Sequence, residues 1–461
     1  MIADLKLYPE YKESGLPWLG HVPGHWDVRR TKSSIANVAE QTTHMEADDV
    51  YVALENVESW TGRVRPQRGK HLFTGQVKRF QSNDVLFGKL RPYLAKVTRL
   101  ETAGVCVGEF FVLRSRDISI LPEFLEHQLR AKHSVDVING STFGAKMPRA
   151  DWQFVGNLPI LFPPPAEQAA IVHFLDWANR RLERAIRVKR KVIALLGEQK
   201  QAIIHRSVTR GLDHTVPLKP SGVPWLGDIP QHWEVRRASY LFHEVDERSI
   251  NGSEELLSVS HVTGVTPRSQ KNITMFKAKS YVGHKLCHPG DLVVNTMWAW
   301  AGALGISAYS GIVSPSYAVY RPHHLEHYNG SYIDGLLRIR PYVSNIICQS
   351  TGLRPSRLRL YPEKFLRLPI IQPPIEEQQR IVESIDSDTA GLQSTISYLE
   401  REIELLREYQ TRLASDLVTG KLDVREVAMH LPVDVIEPTD AVIDNDELVD
   451  DSELNDEEAH V

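Results

Sequence analysis

The sequence predicts a mixed α/β (α+β) protein in which two globular domains alternate with two long helices. Three observations carry that expectation. The segment Ser14–Arg30, SGLPWLGHVPGHWDVRR, returns 207 residues later as Ser221–Arg237, SGVPWLGDIPQHWEVRR, identical at 12 of 17 positions. A second segment, Leu158–Val172, returns as Leu368–Val382 at an offset of 210, identical at 9 of 15 positions. After each Pro-Pro-containing segment the apolar residues adopt a helical period. A repeat this long far exceeds the units of stacked solenoids, so each copy is long enough to bury a core of its own. A duplicated domain suggests a duplicated task.

In chain order, a globular domain is expected over 1–162, a long helix over 163–212, a second globular domain over 213–372, a second long helix over 373–425 and an acidic, disordered tail over 426–461. Within the first globule the short apolar runs Asp84–Phe87 and Val105–Leu113 read as strands and Glu123–Lys132 as a helix. In the second, Asp291–Val294 and Tyr317–Tyr320 read as strands and Tyr332–Ile339 as a helix. From Glu167 to Thr209, Ile171, Leu175, Ala178, Leu182, Ile186, Ile193, Leu196 and Ile203 recur at three- and four-residue intervals without a proline, the stripe of an amphipathic helix. From Glu376 to Thr419, Leu392, Ile396, Leu399, Ile403, Leu406, Gln410, Leu413 and Leu417 keep a strict 4-3 spacing, which is a heptad seam.

Prolines 163–165 and 373–374 precede the two helices, where a fixed φ and a missing donor do least harm. Gly211 and Gly420 stand at the usual left-handed stop. Helices of this length extend about 60 Å at 1.5 Å per residue, more than one small domain can cover. Each is the other's simplest partner, in an antiparallel coiled coil with a globule at each end; the alternative is that each packs separately on its own domain.

The chain has 461 residues, 42% hydrophobic and 24% charged, which is ordinary globular composition. No apolar run reaches the ~18 residues of a membrane span, and charges occupy the N-terminus where a secretory core would be apolar. A cytoplasmic protein without membrane contact is expected. Cys106, Cys287 and Cys348 form no Cys-x-x-Cys pair, and each reads as a small buried hydrophobe. The net charge of -4 conceals a division: residues 431–461 hold twelve Asp and Glu and no Lys or Arg, leaving 54 basic against 46 acidic residues in the rest. A mildly basic body fits a polyanionic partner such as nucleic acid. The tail reads as a solubilising extension.

Phosphate loops, dinucleotide fingerprints, His-Glu-x-x-His and Gly-x-Ser-x-Gly are all absent from the sequence, so no catalytic constellation is expected. His323, His324 and His327 lack a spaced carboxylate partner and read as surface residues. The two globules differ where a ligand could be touched. Just beyond a strand the first offers Lys89, Arg91 and Tyr93, and the matching stretch of the second offers Asn295, Trp298 and Trp300. Arg and Lys can bond guanine, Asn can read adenine and aromatic rings can stack, so this exchange would change which bases are read. A second pair of loops contains Lys146 and Arg149 in the first globule and Arg354, Arg357 and Arg359 in the second. Those suit phosphate contacts, which position a duplex without choosing its sequence.

The paired Ser-Gly-x-Pro-Trp-Leu-Gly and His-Trp segments at 14–26 and 221–233, with Pro-Pro-x-x-Glu-Gln at 163–168 and 373–378, resemble the specificity subunit of type I restriction-modification enzymes. Asn295–Trp300 followed by Gly311–Tyr317 also resembles a recurring segment of that family's target recognition domains. The likeness runs from residue 8 to about 426 and leaves the acidic tail outside. It implies a non-catalytic subunit with two target recognition domains, each reading half of a split, asymmetric site in double-stranded DNA, the coiled coil setting the separation. It further implies two methyltransferase subunits that methylate adenine with S-adenosylmethionine, and restriction/translocase subunits that use ATP and Mg. No cofactor or metal is expected on this chain.

Overall fold

The computed structural model describes residues 5–65, 75–144, 147–261, 263–270, 280–352 and 358–432. The chain divides into two compact units, one comprising Met1–Arg190 with Glu400–Asn445 and the other Lys191–Leu399 with Asp446–Val461. Each therefore contains one globule and part of both long helices, which run over Pro165–Arg210 and Ile375–Val418.

In the first unit the opening segment forms a small hairpin, Tyr11–Glu13 against His21–Pro23. Strand β1 (Asp27–Arg30) then pairs with β6 (Pro159–Phe162), so the two ends of the globule are held together. Between them β2 (Ile35–Val38), β3 (Val85–Gly88), β4 (Val97–Arg99) and β5 (Phe110–Ser115) make an antiparallel sheet of order β2-β5-β3-β4. Strand side chains alternate between faces, and here both faces are covered. Val85, Phe87, Phe111 and Leu113 enter one core with α1 (Pro122–Arg130) and the first long helix, whereas Leu86, Phe110 and Val112 enter a second core under a smaller sheet. Double burial explains why these strands read as continuous apolar runs. The run Val105–Leu113 is two strands, Gly104–Cys106 and Phe110–Ser115, in different sheets, because the chain turns at Val107–Phe110. A second helix, α2 (Lys132–Gly140), follows α1 and was not expected.

The repeated motifs meet one another. Glu167, almost fully buried, accepts the Trp26 Nε1–H at 2.9 Å and contacts His25 Nε2 at 2.7 Å. Gln168 donates to the carbonyls of Ser119 and Pro163 and accepts from the Leu121 amide. Gly420, at φ +74°, closes the second long helix directly against Trp26, where a Cβ would collide with that ring and with Pro23. The residues after it pair with the N-terminus: the Asp423 amide donates to the Lys6 carbonyl, Lys6 meets Glu426 at 2.8 Å and Arg425 lies over the Tyr8 ring. Within this unit Gln410 donates to Asn179 and Lys189 to Glu402, so the two long helices run in opposite directions there.

The second unit repeats this construction. Strands β7 (Glu234–Arg237) and β12 (Pro369–Gln372) pair at its ends, and β8 (Phe242–Val245), β9 (Leu292–Val294), β10 (Leu304–Ile306) and β11 (Ala318–Pro322) form a sheet of order β8-β11-β9-β10. Helices α3 (Gly330–Leu337) and α4 (Arg340–Gln349) close one face, the second of them not expected. His232 meets Glu377 at 2.7 Å, and Gln378 bonds the Pro373 and His327 carbonyls and the Asn329 amide. Lys200 of the first long helix donates to Gln393 of the second. Cys106 and Cys287 are buried as expected, but Cys348 is exposed because its position on α4 faces outward. Burial pushes the Cys106 thiol up to about 12 and the Cys287 thiol to about 11. Among the described residues no helix is long and apolar enough to cross a membrane.

Candidate nucleic-acid interface

In each unit an ion pair with a buried carboxylate stands at the start of the strand that leads to the candidate segment. Asp84, which leads into β3, accepts both Nε and Nη2 of Arg114 at 2.8 and 2.6 Å. Asp291, which leads into β9, accepts the same two atoms of Arg321 at 3.0 and 3.1 Å, and Glu247 adds a second carboxylate to that guanidinium. Both pairs are separated by 30 residues and recur at an offset of 207. Residue type and spacing carry this repeat in the sequence itself.

The first unit gathers its candidates onto one surface. The Lys89 amide donates to the Glu109 carbonyl, the Ala150 amide to the Lys89 carbonyl at 2.8 Å and the Arg91 amide to the Pro148 carbonyl at 2.8 Å. These bonds lay the 89–93 segment beside the 143–149 hairpin, which Phe143 and Arg149 close by exchanging backbone bonds. Lys89 is half-buried, Arg91 and Tyr93 are exposed, and Arg149 is exposed while paired with Glu109 at 3.0 Å. Arg91 adopts φ +51°, a left-handed conformation unusual for a side chain with a Cβ. Lys78 lies close enough to Lys89 that, after burial, this second cation further lowers its ammonium pKa. Positive charge is thus crowded on this face. Lys146 lies outside the described residues.

In the second unit the outcome differs by residue. Asn295 is buried: its Oδ1 accepts the Met297 amide, its Nδ2 donates to the Tyr317 hydroxyl and its backbone bonds Ala303. This corrects its expected place at the surface. An Asn at the end of a strand satisfies its amide within the turn it starts, so here it fixes the loop and offers no edge to a base. Trp298 and Trp300 are half-buried and stacked on each other, ring centroids 5.3 Å apart, with the Trp300 Nε1–H donated to the Met297 carbonyl. Arg359 is exposed, closes a hairpin with Thr351 and reaches Met297, while the Leu360 amide bonds the Thr296 carbonyl. The two loops are therefore neighbours, as in the first unit. Arg354 and Arg357 lie outside the described residues.

Elsewhere His243 stacks on His323 at 4.5 Å, with His324 and His327 adjoining, and His324 contacts Glu326. Among the described residues no group of three or more His, Cys, Asp or Glu is arranged to hold a metal ion. Sequence reasoning also missed two exposed apolar side chains on the 143–149 hairpin, Phe143 and Met147.

No family model matches the chain. The type I restriction enzyme EcoDI specificity subunit of Escherichia coli is 23% identical over 178 residues, which is 38% of this chain and 38% of that protein. The chain thus matches well under half the length of this curated relative. A chain from a structure concerned with assembly and conformational transition of the type I R-M system superposes with a TM-score of 0.59 at 19% identity, covering 87% of this chain and 99% of that one. The HsdS subunit from Thermoanaerobacter tengcongensis, also 19% identical, covers 87% and 98% with a TM-score of 0.40. The resemblance first read from the paired motifs holds: this chain is similar to the specificity subunits of type I restriction-modification enzymes.

Proposed function

We propose that this chain is the non-catalytic DNA-reading subunit of a type I restriction-modification complex. Its two globules act as target recognition domains, each reading one half of a bipartite, asymmetric site in double-stranded DNA. The long helices form an antiparallel coiled coil, related by a pseudo-twofold repeat, that sets the separation of the half-sites and docks two methyltransferase subunits. Those partners methylate adenine with S-adenosylmethionine, and restriction/translocase subunits use ATP and Mg to act on unmodified sites.

One observation carries this reading. In both globules the segments that differ between the copies lie side by side on the frame that the copies share, and they present Lys89, Arg91, Tyr93 and Arg149 in one case and Trp298, Trp300 and Arg359 in the other. Arginine and lysine match phosphates and guanine edges, and rings match stacked bases. Arg354 and Arg357 join the phosphate contacts of the second domain. The relative named above is itself called a specificity subunit. Methylation mapping of the host genome returns both half-sites at once. Exchanging residues 1–162 for those of another such subunit changes one half-site and leaves the other; a change in both halves refutes the assignment.

A further inference from the structure

In the first unit a closed turn between Val57 and Val64 joins the segment that carries Arg91 and Tyr93 to the long helices. The Glu58 amide donates to the Arg63 carbonyl at 2.8 Å and the Arg65 amide to the Asn56 carbonyl at 2.9 Å. At the tip, exposed Trp60 adopts φ +66° and its amide donates to the Leu94 carbonyl, one residue from Tyr93. Gly62, at φ +69°, approaches β4 so closely that a Cβ would collide with the Val97 carbonyl, and Arg130 donates to the Thr61 carbonyl. The turn is thus fixed on the globule beside its reading segment. Its other end meets the helices. Arg63 pairs with Glu183 of the first long helix, and Arg190 follows seven residues later, two turns along the same face. Arg407 of the second long helix falls between Glu402, which meets Lys189 at 2.7 Å, and Gln410, which donates to Asn179 at 3.1 Å, so it lies along the same stretch of the first helix. Arg190 and Arg407 are exposed, and neither has a carboxylate within ion-pair distance among the described residues. Partial burial, then the neighbouring Arg407 and Arg63, pull the Arg190 guanidinium below its usual range, against Glu58. Guanidiniums from three separate elements are gathered in one place.

We infer that Arg190 and Arg407 hold the DNA backbone between the two half-sites, where the reading segment of the first domain gives way to the long helices. This rests on the DNA-reading function proposed above, in which those helices span the distance between half-sites. Like charges gathered without carboxylates repel one another, and an anionic ligand turns that cost into affinity. A guanidinium presents a planar fork that matches a phosphate. Each DNA strand carries a phosphate about every 3.4 Å of axis, so neighbouring arginines can meet neighbouring phosphates whatever the sequence. Backbone contacts of this kind suit a spacer, whose bases are not read. An acidic protein surface would also match the charge, but continuity favours DNA: the Trp60–Leu94 bond ties this cluster to the segment that carries Arg91 and Tyr93.

The test uses the full chain assembled with the methyltransferase subunits proposed above, and duplexes carrying the site mapped by methylation. Single uncharged methylphosphonate linkages are placed in turn through the spacer. One or two of them, next to the half-site of the first domain, weaken wild-type binding roughly ten-fold, the scale of a lost charge-assisted contact. The double variant Arg190→Gln with Arg407→Gln binds the unmodified duplex more weakly and lowers the slope of log affinity against log salt by about two. It no longer responds to those linkages, whereas Arg190→Lys with Arg407→Lys keeps the slope. The methylated sequence is unchanged, since no base contact is touched, and thermal melting stays at the wild-type value because both side chains are exposed. Wild-type binding that ignores every spacer linkage, or a Gln double variant with the wild-type salt slope, overturns this assignment and leaves the DNA-reading function standing. A Gln double variant that binds DNA normally yet assembles less readily with the methyltransferase also overturns it, and gives the two arginines to that protein contact. A wild-type assembly that does not prefer the mapped site over other duplexes overturns both.

Discussion

Arg91 holds its backbone at φ +51°, ψ 61°, and Ala95 follows at φ +49°, so two left-handed residues bracket the turn that exposes Tyr93. Each such residue costs about 1–2 kcal/mol, and strain of this kind persists where surrounding structure enforces it. Glycine at position 91 relieves the strain and removes the charge together. Arg91→Gly is expected to melt no lower than wild type while the slope of log affinity against log salt falls by about one phosphate's worth; an unchanged slope would remove Arg91 from the phosphate contacts. A second residue reports on packing. His133 stacks on Trp18 at 5.6 Å and 16°, and burial, assisted by Lys421, pulls its imidazole down to about 4. The unfolded chain takes up this proton near pH 6.5 and the folded chain only near 4, so the unfolded state binds more protons between them and stability falls as pH falls. Loss of up to about 3 kcal/mol is expected across that window and none from this group at pH 7. Urea melts at pH 7 and 5 measure it, and His133→Phe, which keeps a ring on Trp18, should flatten the difference.

At the scale of elements, the repeated motifs form a clamp between each globule's opening segment and the first turn of its long helix. Trp26 gives its indole proton to Glu167, whereas Trp233, equally buried, has no hydrogen-bond partner for Nε1 among the described residues. Glu377 is also more exposed than Glu167, with side-chain exposures of 17% and 4%. Glu167→Ala strands a buried donor and should cost about 1–3 kcal/mol; Glu377→Ala strands no such donor and should cost less. Chemical denaturation of the two variants checks the order, and equal losses would mean that the histidine contacts dominate. The long helices start two residues after the expected 163 and 373, and the first ends two residues before 212, whereas the second ends at Val418, seven residues before 425; proline and a closing glycine act locally. The helices α2 and α4 were not legible in the sequence, because Lys132–Gly140 and Arg340–Gln349 are short and each bury only two or three side chains. Asn295 shows the same limit at a site. Its residue type suggested a reader, and only its partner Tyr317, 22 residues away, turns it inward.

For the whole molecule, the proposed function makes the long helices a ruler. Their charges suit them to one another: the first carries ten Lys and Arg against four Asp and Glu, and the second four against ten. Opposite charge favours this pairing over pairing with a like copy. Of the eight residues of the 4-3 spacing, Ile396, Ile403, Leu413 and Leu417 are buried and Leu392, Leu399, Leu406 and Gln410 half-buried. Adding one heptad to each helix at matched positions preserves that seam. It lengthens each by seven residues, about 10 Å at 1.5 Å per residue. Duplex DNA advances 3.4 Å per base pair along either strand, so the spacer between the half-sites should grow by about three base pairs while the half-sites themselves stay the same. Adding four residues instead shifts the seam off its partner face and should lower stability before it alters the spacer. Methylation mapping of cells expressing each variant reads the outcome directly. An unchanged spacer with the heptad present would show that the helices do not set the distance, and altered half-sites would show that the recognition domains are not independent of them.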